Sequence, residues 1–246
     1  MAKLAADCVA DGSASQAARC HFHEPAKQCR TTLVEFPVIN RMRLMALPQP
    51  VKFITPEEYL RIERAAEFKS EYFAGEMFAM AGGSPEHSLL KTNIVGELRS
   101  QLKGRPCTVY DSDLRVLISA TGLFVYPDAT VVCGPLETSD EQEDTVVNPT
   151  LVVEVSSDST EVYDRTTKFD HYRRIPSLKD IVFVSQKTPI IERFSRGPDG
   201  VWFLVDAQGL EATLELPSIG VSLSLAEVYD KIVFHELPPR MRRLQS

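Results

Sequence analysis

The sequence predicts an α/β fold with a mixed β-sheet flanked by helices. Three observations carry this prediction: two early segments with helical signals, several strand-like runs rich in Val, Ile, Leu and Thr, and a third helical segment followed by further short strands. The resulting order is helix, hairpin, helix, three strands, helix, strands. Such an order is typical of a sheet with helices packed on it, and the last strands indicate extra β-hairpins at the C-terminal end.

The first two elements have clear start and turn signals. Thr55 is a good helix cap, with Pro56 at the first helical position and Glu58 three residues after the cap, so a helix is predicted over 56–69. The segment 71–78 then predicts two short strands joined by an Ala-Gly turn, with apolar side chains on both arms.

The central elements follow from apolar patterning. A second helix begins at Ser84 and Pro85, and its apolar stripe is Leu90, Ile94, Leu98 and Leu102. Three strand-like runs come next, at 107–118, 123–133 and 150–155. The acidic stretch 137–148 is predicted to be a surface loop.

The C-terminal half predicts one more long helix and shorter strands. The helix covers about 160–174 and ends before Pro176. Short strands follow near 181–184, 190–194, 202–205 and 213–216. A short helix capped by Ser224 completes the series.

Composition predicts one domain with a tail at each end. Residues 1–48 lack sustained periodicity and are predicted to be a disordered tail, residues 49–236 the folded domain, and residues 237–246 a basic C-terminal tail. Four metal-type residues in the N-terminal tail match no common zinc-finger spacing and are interpreted as a chance cluster: Cys20, His21, His23 and Cys29.

Charge and cysteine content limit the classes of function. A net charge of −7 argues against a protein that coats nucleic acid by charge alone, although a local basic rim remains compatible with transient DNA binding. The candidate rim residues are Lys91, Arg99, Lys103, Arg105, Arg115, Arg165, Arg173 and Arg174.

No apolar run is long enough to span a bilayer. Five scattered cysteines do not suggest a disulfide framework, which favours a reducing compartment such as the cytoplasm.

One carboxylate stands inside the most apolar strand. Glu154 interrupts the run Leu151 to Val155, and such continuous runs are typical of central strands covered on both faces. A buried glutamate needs a neutralising partner, because desolvation of its charge costs several kcal/mol. Either a basic side chain or a metal ion is therefore expected beside Glu154.

A second carboxylate, Asp128, interrupts the preceding apolar run in the same way. It follows Tyr126 and Pro127, with apolar residues on both sides. Two acids in neighbouring core strands suggest one site, and hard cations such as Mg²⁺ take oxygen ligands from one or two carboxylates. Bound there, the cation would offset the burial of the acids and stabilise charge that develops on a phosphate.

Lys168 is predicted to reach the same place from the following helix. Helical and strand rises put Lys168 and Glu154 at similar levels along the sheet. Asp164, Lys168 and Tyr172 are four residues apart and share one helix face. The alternative is purely structural: Glu154 and Lys168 form a buried salt bridge, and Asp128 caps a turn after Pro127.

Several motifs together resemble one known family. They are Glu71 through Glu76, Ser84 with His87, Tyr126 through Asp128, Pro149 through Ser157, and Asp164 with Lys168 and Tyr172. In order and spacing they resemble the Uma-type restriction endonuclease family, a branch of the PD-(D/E)XK nuclease superfamily. The likeness covers about residues 53–235 and implies a restriction-endonuclease-like core and a nuclease that uses Mg²⁺ or Mn²⁺ to hydrolyse DNA.

The resemblance also implies roles for individual residues. Asp128 and Glu154 would bind the metal, with the Val155 backbone carbonyl as a third ligand. Glu71 resembles an N-terminal acidic position that completes such sites, the alternative being a surface-facing hairpin residue. Ser156 stands where the superfamily motif usually has lysine, so the lysine role passes to Lys168.

His87, Asp164 and Tyr172 are predicted to support this site. His87 would contact phosphate or carry a proton, and its alternative is a first-turn capping partner. DNA is the expected partner, with a homodimer as a possible assembly and no membrane. A non-catalytic nucleic-acid or protein-binding module that kept the nuclease fold is the second functional hypothesis.

Overall fold

A computed structural model of the chain describes residues 53–156 and 164–234. The predicted tails 1–48 and 237–246, including the cysteine and histidine cluster, lie outside the described residues. No helix in the described ranges is long and apolar enough to cross a membrane.

The described residues form four α-helices and one π-helix. They are α1 (Pro56–Glu63), α2 (Pro85–Leu102), α3 (Phe169–Tyr172) and α4 (Leu225–Val228), with a π-helix at Asp164–Lys168 directly before α3. The predicted start of α1 is confirmed, since the Thr55 side chain accepts a hydrogen bond from the Glu58 N–H. Its predicted end at residue 69 is wrong, because the Glu63 carboxylate accepts from the Ser70 N–H and fixes the chain reversal there.

The strands form two larger mixed sheets and one hairpin. They are β1 (Ser70–Phe73), β2 (Glu76–Ala79), β3 (Cys107–Asp111), β4 (Arg115–Ile118), β5 (Leu123–Val125), β6 (Ala129–Cys133), β7 (Thr145–Val146), β8 (Leu151–Ser156), β9 (Asp180–Ser185), β10 (Ile190–Arg196), β11 (Trp202–Gln208), β12 (Thr213–Leu216) and β13 (Val221–Ser224). The six-stranded sheet has the order β11-β10-β9-β8-β6-β3, and the five-stranded sheet has the order β2-β1-β5-β4-β7. Strands β8 and β9 are parallel, and β12 pairs with β13.

Each of two predicted strands is divided in the structure into two strands, which belong to different sheets. The run 107–118 divides into β3 and β4, and the run 123–133 divides into β5 and β6. The first division is a turn in which the Asp113 N–H donates to the Asp111 carboxylate. The second falls at residues 126–128, where Pro127 offers no N–H for a sheet ladder. Asp128 therefore lies at a bend before β6 rather than inside a strand.

The predicted hairpin at 71–78 is confirmed. Ala74 and Gly75 have φ angles of 50° and 90°, and a two-residue turn with both φ values positive suits the twist of antiparallel strands. The predicted loop 137–148 is partly wrong. It contains β7, which is buried and pairs in parallel with β4.

The six-stranded sheet has an apolar layer on each face. Side chains of Leu151, Val153 and Val155 pack in the same cluster as the stripe on α2 and as β12 and β13. Val152 lies in the opposite cluster with Tyr172 of α3. Because side chains alternate along a strand, Glu154 belongs to the face that α3 covers.

A disulfide joins Cys107 of β3 to Cys133 of β6. The two residues are direct partners in the antiparallel register. The expectation that the cysteines form no disulfide is wrong for this pair, because strand pairing brings together residues 26 positions apart.

Candidate active site

Glu154 lies at the centre of the candidate site, in the buried strand β8 with only 4% of its surface exposed. The Tyr172 hydroxyl donates a 2.6 Å hydrogen bond to its Oε1 atom. The Lys168 Nζ atom donates to the same oxygen at 3.3 Å. The carboxylate therefore has the basic partner that its burial requires.

Lys168 links Glu154 to a second acid. Its Nζ atom lies 2.9 Å from Oε1 of Glu71, and the three residues are all more than nine-tenths buried. Lys168 ends the π-helix, and π-helical turns occur frequently at functional sites. Lys168 and Tyr172 both reach Glu154, in keeping with the shared face that their spacing indicates. The side chain of Asp164 lies outside the described part of the chain.

Glu71 is not a surface residue of the hairpin. It lies on β1 with 8% of its surface exposed and forms the ion pair with Lys168. The surface-facing alternative for this residue is therefore wrong.

Asp128 contacts β8 next to Glu154. The last registered pair between β6 and β8 is Ala129 with Val153, and Asp128 directly precedes Ala129 while Glu154 directly follows Val153. The Val155 N–H donates to Oδ2 of Asp128 at 2.8 Å. This bond joins the bend before β6 to the end of β8.

The Val155 carbonyl faces the same side of β8. The N–H and C=O of one strand residue point toward the same neighbouring strand. Because the Val155 N–H reaches Asp128, the carbonyl of this residue is directed to the Asp128 side as well.

The first turns of α2 add two basic groups beside Asp128. Nε2 of His87 lies 3.2 Å from Oδ2 of Asp128, and Nζ of Lys91 lies 3.7 Å from Oδ1. The backbone N–H of His87 also donates to the Ser84 side chain, so His87 serves the helix cap and contacts the candidate site. Lys91 was predicted only as a rim residue. Its spacing of four from His87 is the sequence signal for its place here.

The donor set fits a small hard cation with few protein ligands. Within the described residues, no group of three or more His, Cys, Asp or Glu side chains is arranged to hold a metal ion. Mg²⁺ usually binds through one or two carboxylates and keeps several waters, and Asp128 with Glu154 and the Val155 carbonyl supplies such oxygens. Glu71 instead neutralises Lys168.

Several of the residues predicted to form a basic rim are buried or paired with acids. Arg115 is buried, lies over the rings of Tyr59 and Tyr126, and pairs with Asp144, so its prediction as a DNA contact is wrong. Two other predicted rim residues are paired with acids: Arg165 with Glu192, and Arg173 with Asp170.

A solved structure and a family model identify the class of protein. A crystal structure of "a putative nuclease belonging to DUF820" from Anabaena variabilis aligns with a TM-score of 0.60 at 16% identity, over 73% of this chain and 99% of that chain. The likeness confirms the restriction-endonuclease-like α/β fold. The chain belongs to the Uma2 family, described as "Putative restriction endonuclease", whose model matches residues 56–226.

Two further relatives come from Synechocystis sp. The uncharacterized protein slr1290 is 37% identical over 185 residues, which are 75% of this chain and 96% of the relative. The uncharacterized protein sll1609 is 32% identical over 171 residues, which are 70% of this chain and 97% of the relative. Neither name states an activity, so family membership and the site carry the functional conclusion.

Proposed function

We propose that this protein is a divalent-metal-dependent endonuclease that hydrolyses DNA phosphodiester bonds. One observation carries the proposal: Asp128 accepts a hydrogen bond from the N–H of Val155, the residue next to Glu154 on β8, and Lys168 reaches Glu154 from the next helix. Carboxylates with an adjacent amine suit phosphoryl transfer, in which positioning and charge stabilisation supply most of the catalysis.

Mg²⁺ or Mn²⁺ is the proposed cofactor. Asp128, Glu154 and the Val155 carbonyl would hold the ion, and Glu71 would take part only after release from Lys168. When bound, such an ion supplies a more acidic water and offsets negative charge on the phosphate.

Lys168 is proposed to orient the attacking water or stabilise charge on the phosphate. Its ammonium group lies between Glu71 and Glu154, so two carboxylates hold it in place. Ser156, where the superfamily motif has lysine, is buried on the same strand as Glu154. Ser156 carries no amine, so Lys168 would supply the amine that the superfamily motif places at that position.

His87, Lys91 and Tyr172 are proposed as positioning residues. His87 and Lys91 fix Asp128, and Tyr172 fixes the Oε1 oxygen of Glu154. Preorganised donors of this kind reduce the motion needed when the substrate binds.

The proposal extends to boundaries, location and assembly. We infer a folded domain at 49–236 between two tails, with DNA as partner.

Cytoplasmic location stays a prediction, and the Cys107–Cys133 disulfide removes the cysteine-based reason for it. A homodimer also stays a prediction. Light scattering of the purified chain tests it, and a monomer mass at all concentrations would exclude it.

A strand-resolved cleavage assay tests the function. End-labelled duplex and plasmid DNA are incubated with Mg²⁺ or Mn²⁺ and with the wild type, Asp128→Ala, Glu154→Gln or Lys168→Ala. We expect cleavage by the wild type and by the control Lys179→Ala, which changes an exposed lysine, and no cleavage by the three site variants. Equal nicking by all the variants would identify a contaminant and refute the proposal.

A non-catalytic binding module is the second candidate. The observation that favours it is the saturation of Lys168 by two buried carboxylates, an arrangement that also serves stability alone. DNA binding without metal, together with no cleavage under any divalent ion, would select this candidate.

A further inference from the structure

An open basic groove lies at the far end of α2 from the candidate active site. It has a volume of about 540 Å³ and is formed by the last turns of α2, the connection 103–106 and the start of β3. Its cations are Arg99, Lys103 and Arg105, and no Asp or Glu is among its lining residues.

The cations of this groove differ from several other surface cations of the described chain in having no carboxylate partner. Arg61, Arg64, Lys69 and Arg173 each pair with a carboxylate. Arg99 and Lys103 are exposed and have no ion pair with any described residue. Positive charge is therefore left available to an external anion at this place.

Arg105 is held in place without being neutralised. Its Nη1 atom donates to the Gly220 carbonyl at 2.6 Å, in the turn between β12 and β13. A carbonyl oxygen fixes the guanidinium group but leaves its charge, and it satisfies only part of the five-donor fork. The side chain is thus prepositioned beside the groove.

The groove cations continue a row that begins at the candidate site. Lys91 and Arg99 on α2 and Lys103 at its C-cap follow one another at multiples of four residues. Lys91 lies beside Asp128, and a helical rise carries Lys103 about 18 Å further along. That length corresponds to about five nucleotides along one strand of a duplex, at roughly 3.4 Å per phosphate.

We infer that this groove binds the phosphate backbone of duplex DNA about five nucleotides from the scissile bond. This inference rests on the proposed nuclease function for the choice of DNA as the polyanion. The contacts are to phosphates, so they position the duplex and carry no sequence preference.

Equilibrium binding of labelled duplex DNA in EDTA tests the inference without cleavage. Fluorescence anisotropy is measured from low to high salt for the wild type and for Arg99→Ala/Lys103→Ala. Each lost phosphate contact lowers the salt slope by about 0.9, so the double variant should lose about two. The matched control Arg61→Ala/Lys231→Ala removes the same charge elsewhere and should keep the wild-type slope.

A second pair of variants separates binding from folding. An added Cβ atom at Gly96 meets no atom within 4 Å, so Gly96→Glu is expected to place an acid at the groove. Both Gly96→Glu and Gly96→Gln raise helix propensity and should not lower the melting temperature. We expect Gly96→Glu to bind DNA severalfold more weakly than Gly96→Gln.

Three results would overturn the inference: no DNA binding by the wild type, an unchanged slope in the groove variant, or equal losses in groove and control variants. A lower melting temperature with unchanged binding would assign Arg99 and Lys103 to stabilisation of the helix C-terminus instead. Groove-dependent binding without cleavage would contradict only the nuclease proposal. Cleavage with groove-independent binding would contradict only this inference.

Discussion

Replacement of Lys168 by methionine tests the electrostatic arrangement of the site. Lys168 is the basic group between Glu71 and Glu154, with contacts of 2.9 and 3.3 Å, and all three are nearly buried. Removal of one partner of a buried ion pair costs about 3–5 kcal/mol, because the remaining charge stays desolvated. For a chain of this size, that loss lowers the melting temperature by roughly 6–20 °C.

Urea and thermal unfolding at pH 7, followed by circular dichroism, measure this effect. Lys179→Met removes an exposed lysine and should change the unfolding free energy by less than about 0.5 kcal/mol. Addition of Glu71→Gln to the Lys168→Met variant should recover part of the loss, since one of the two carboxylates that lose the lysine is then gone. A Lys168→Met protein within about 1 kcal/mol of the wild type would refute this reasoning.

Three further predictions concern the framework around the site. Arg115→Met should lower the unfolding free energy by about 1 kcal/mol in urea titrations, since Asp144 loses one arginine partner and keeps Arg64, and an unchanged midpoint would contradict this. Cys107→Ser/Cys133→Ser should cost about 3.5 kcal/mol from the entropy of a loop with a sequence separation of 26, measured against the oxidised wild type, and equal stability would count against the bond. The hydrogen bond from Arg64 lowers the pKa of Asp144 to about 2. A lowered carboxyl pKa contributes stability above pH 4 that is lost as the pH falls toward 2, so Asp144→Asn should reduce the loss over that range by about 1 kcal/mol, after allowance for solvent screening.

Burial and helical spacing were predictable from the sequence. Glu154 interrupts an otherwise apolar run, and such runs are typical of central strands that are buried on both faces. Lys168 and Tyr172 are four residues apart, so any helical winding directs both toward the same neighbour. These local rules predict the part of the site that contains Glu154, Lys168 and Tyr172.

The remaining features depend on long-range pairing. Asp128 lies at a bend because β5 and β6 belong to different sheets, which no local pattern indicates. The Cys107–Cys133 bond follows from the register of β3 with β6. Burial of Arg115 depends on Tyr59 and Tyr126, which come from distant segments. The π-helix before α3 differs from an α-helix in its hydrogen-bonding pattern. The composition of this segment predicts only an ordinary helix.

Anomalous diffraction from crystals soaked in Mn²⁺ tests most directly whether the two carboxylates share an ion. We predict one peak within coordination distance of Asp128 and Glu154, and its loss in crystals of Asp128→Asn. A wild-type crystal with Mn²⁺ bound only elsewhere, or with no peak at this pair, would contradict the metal-dependent nuclease.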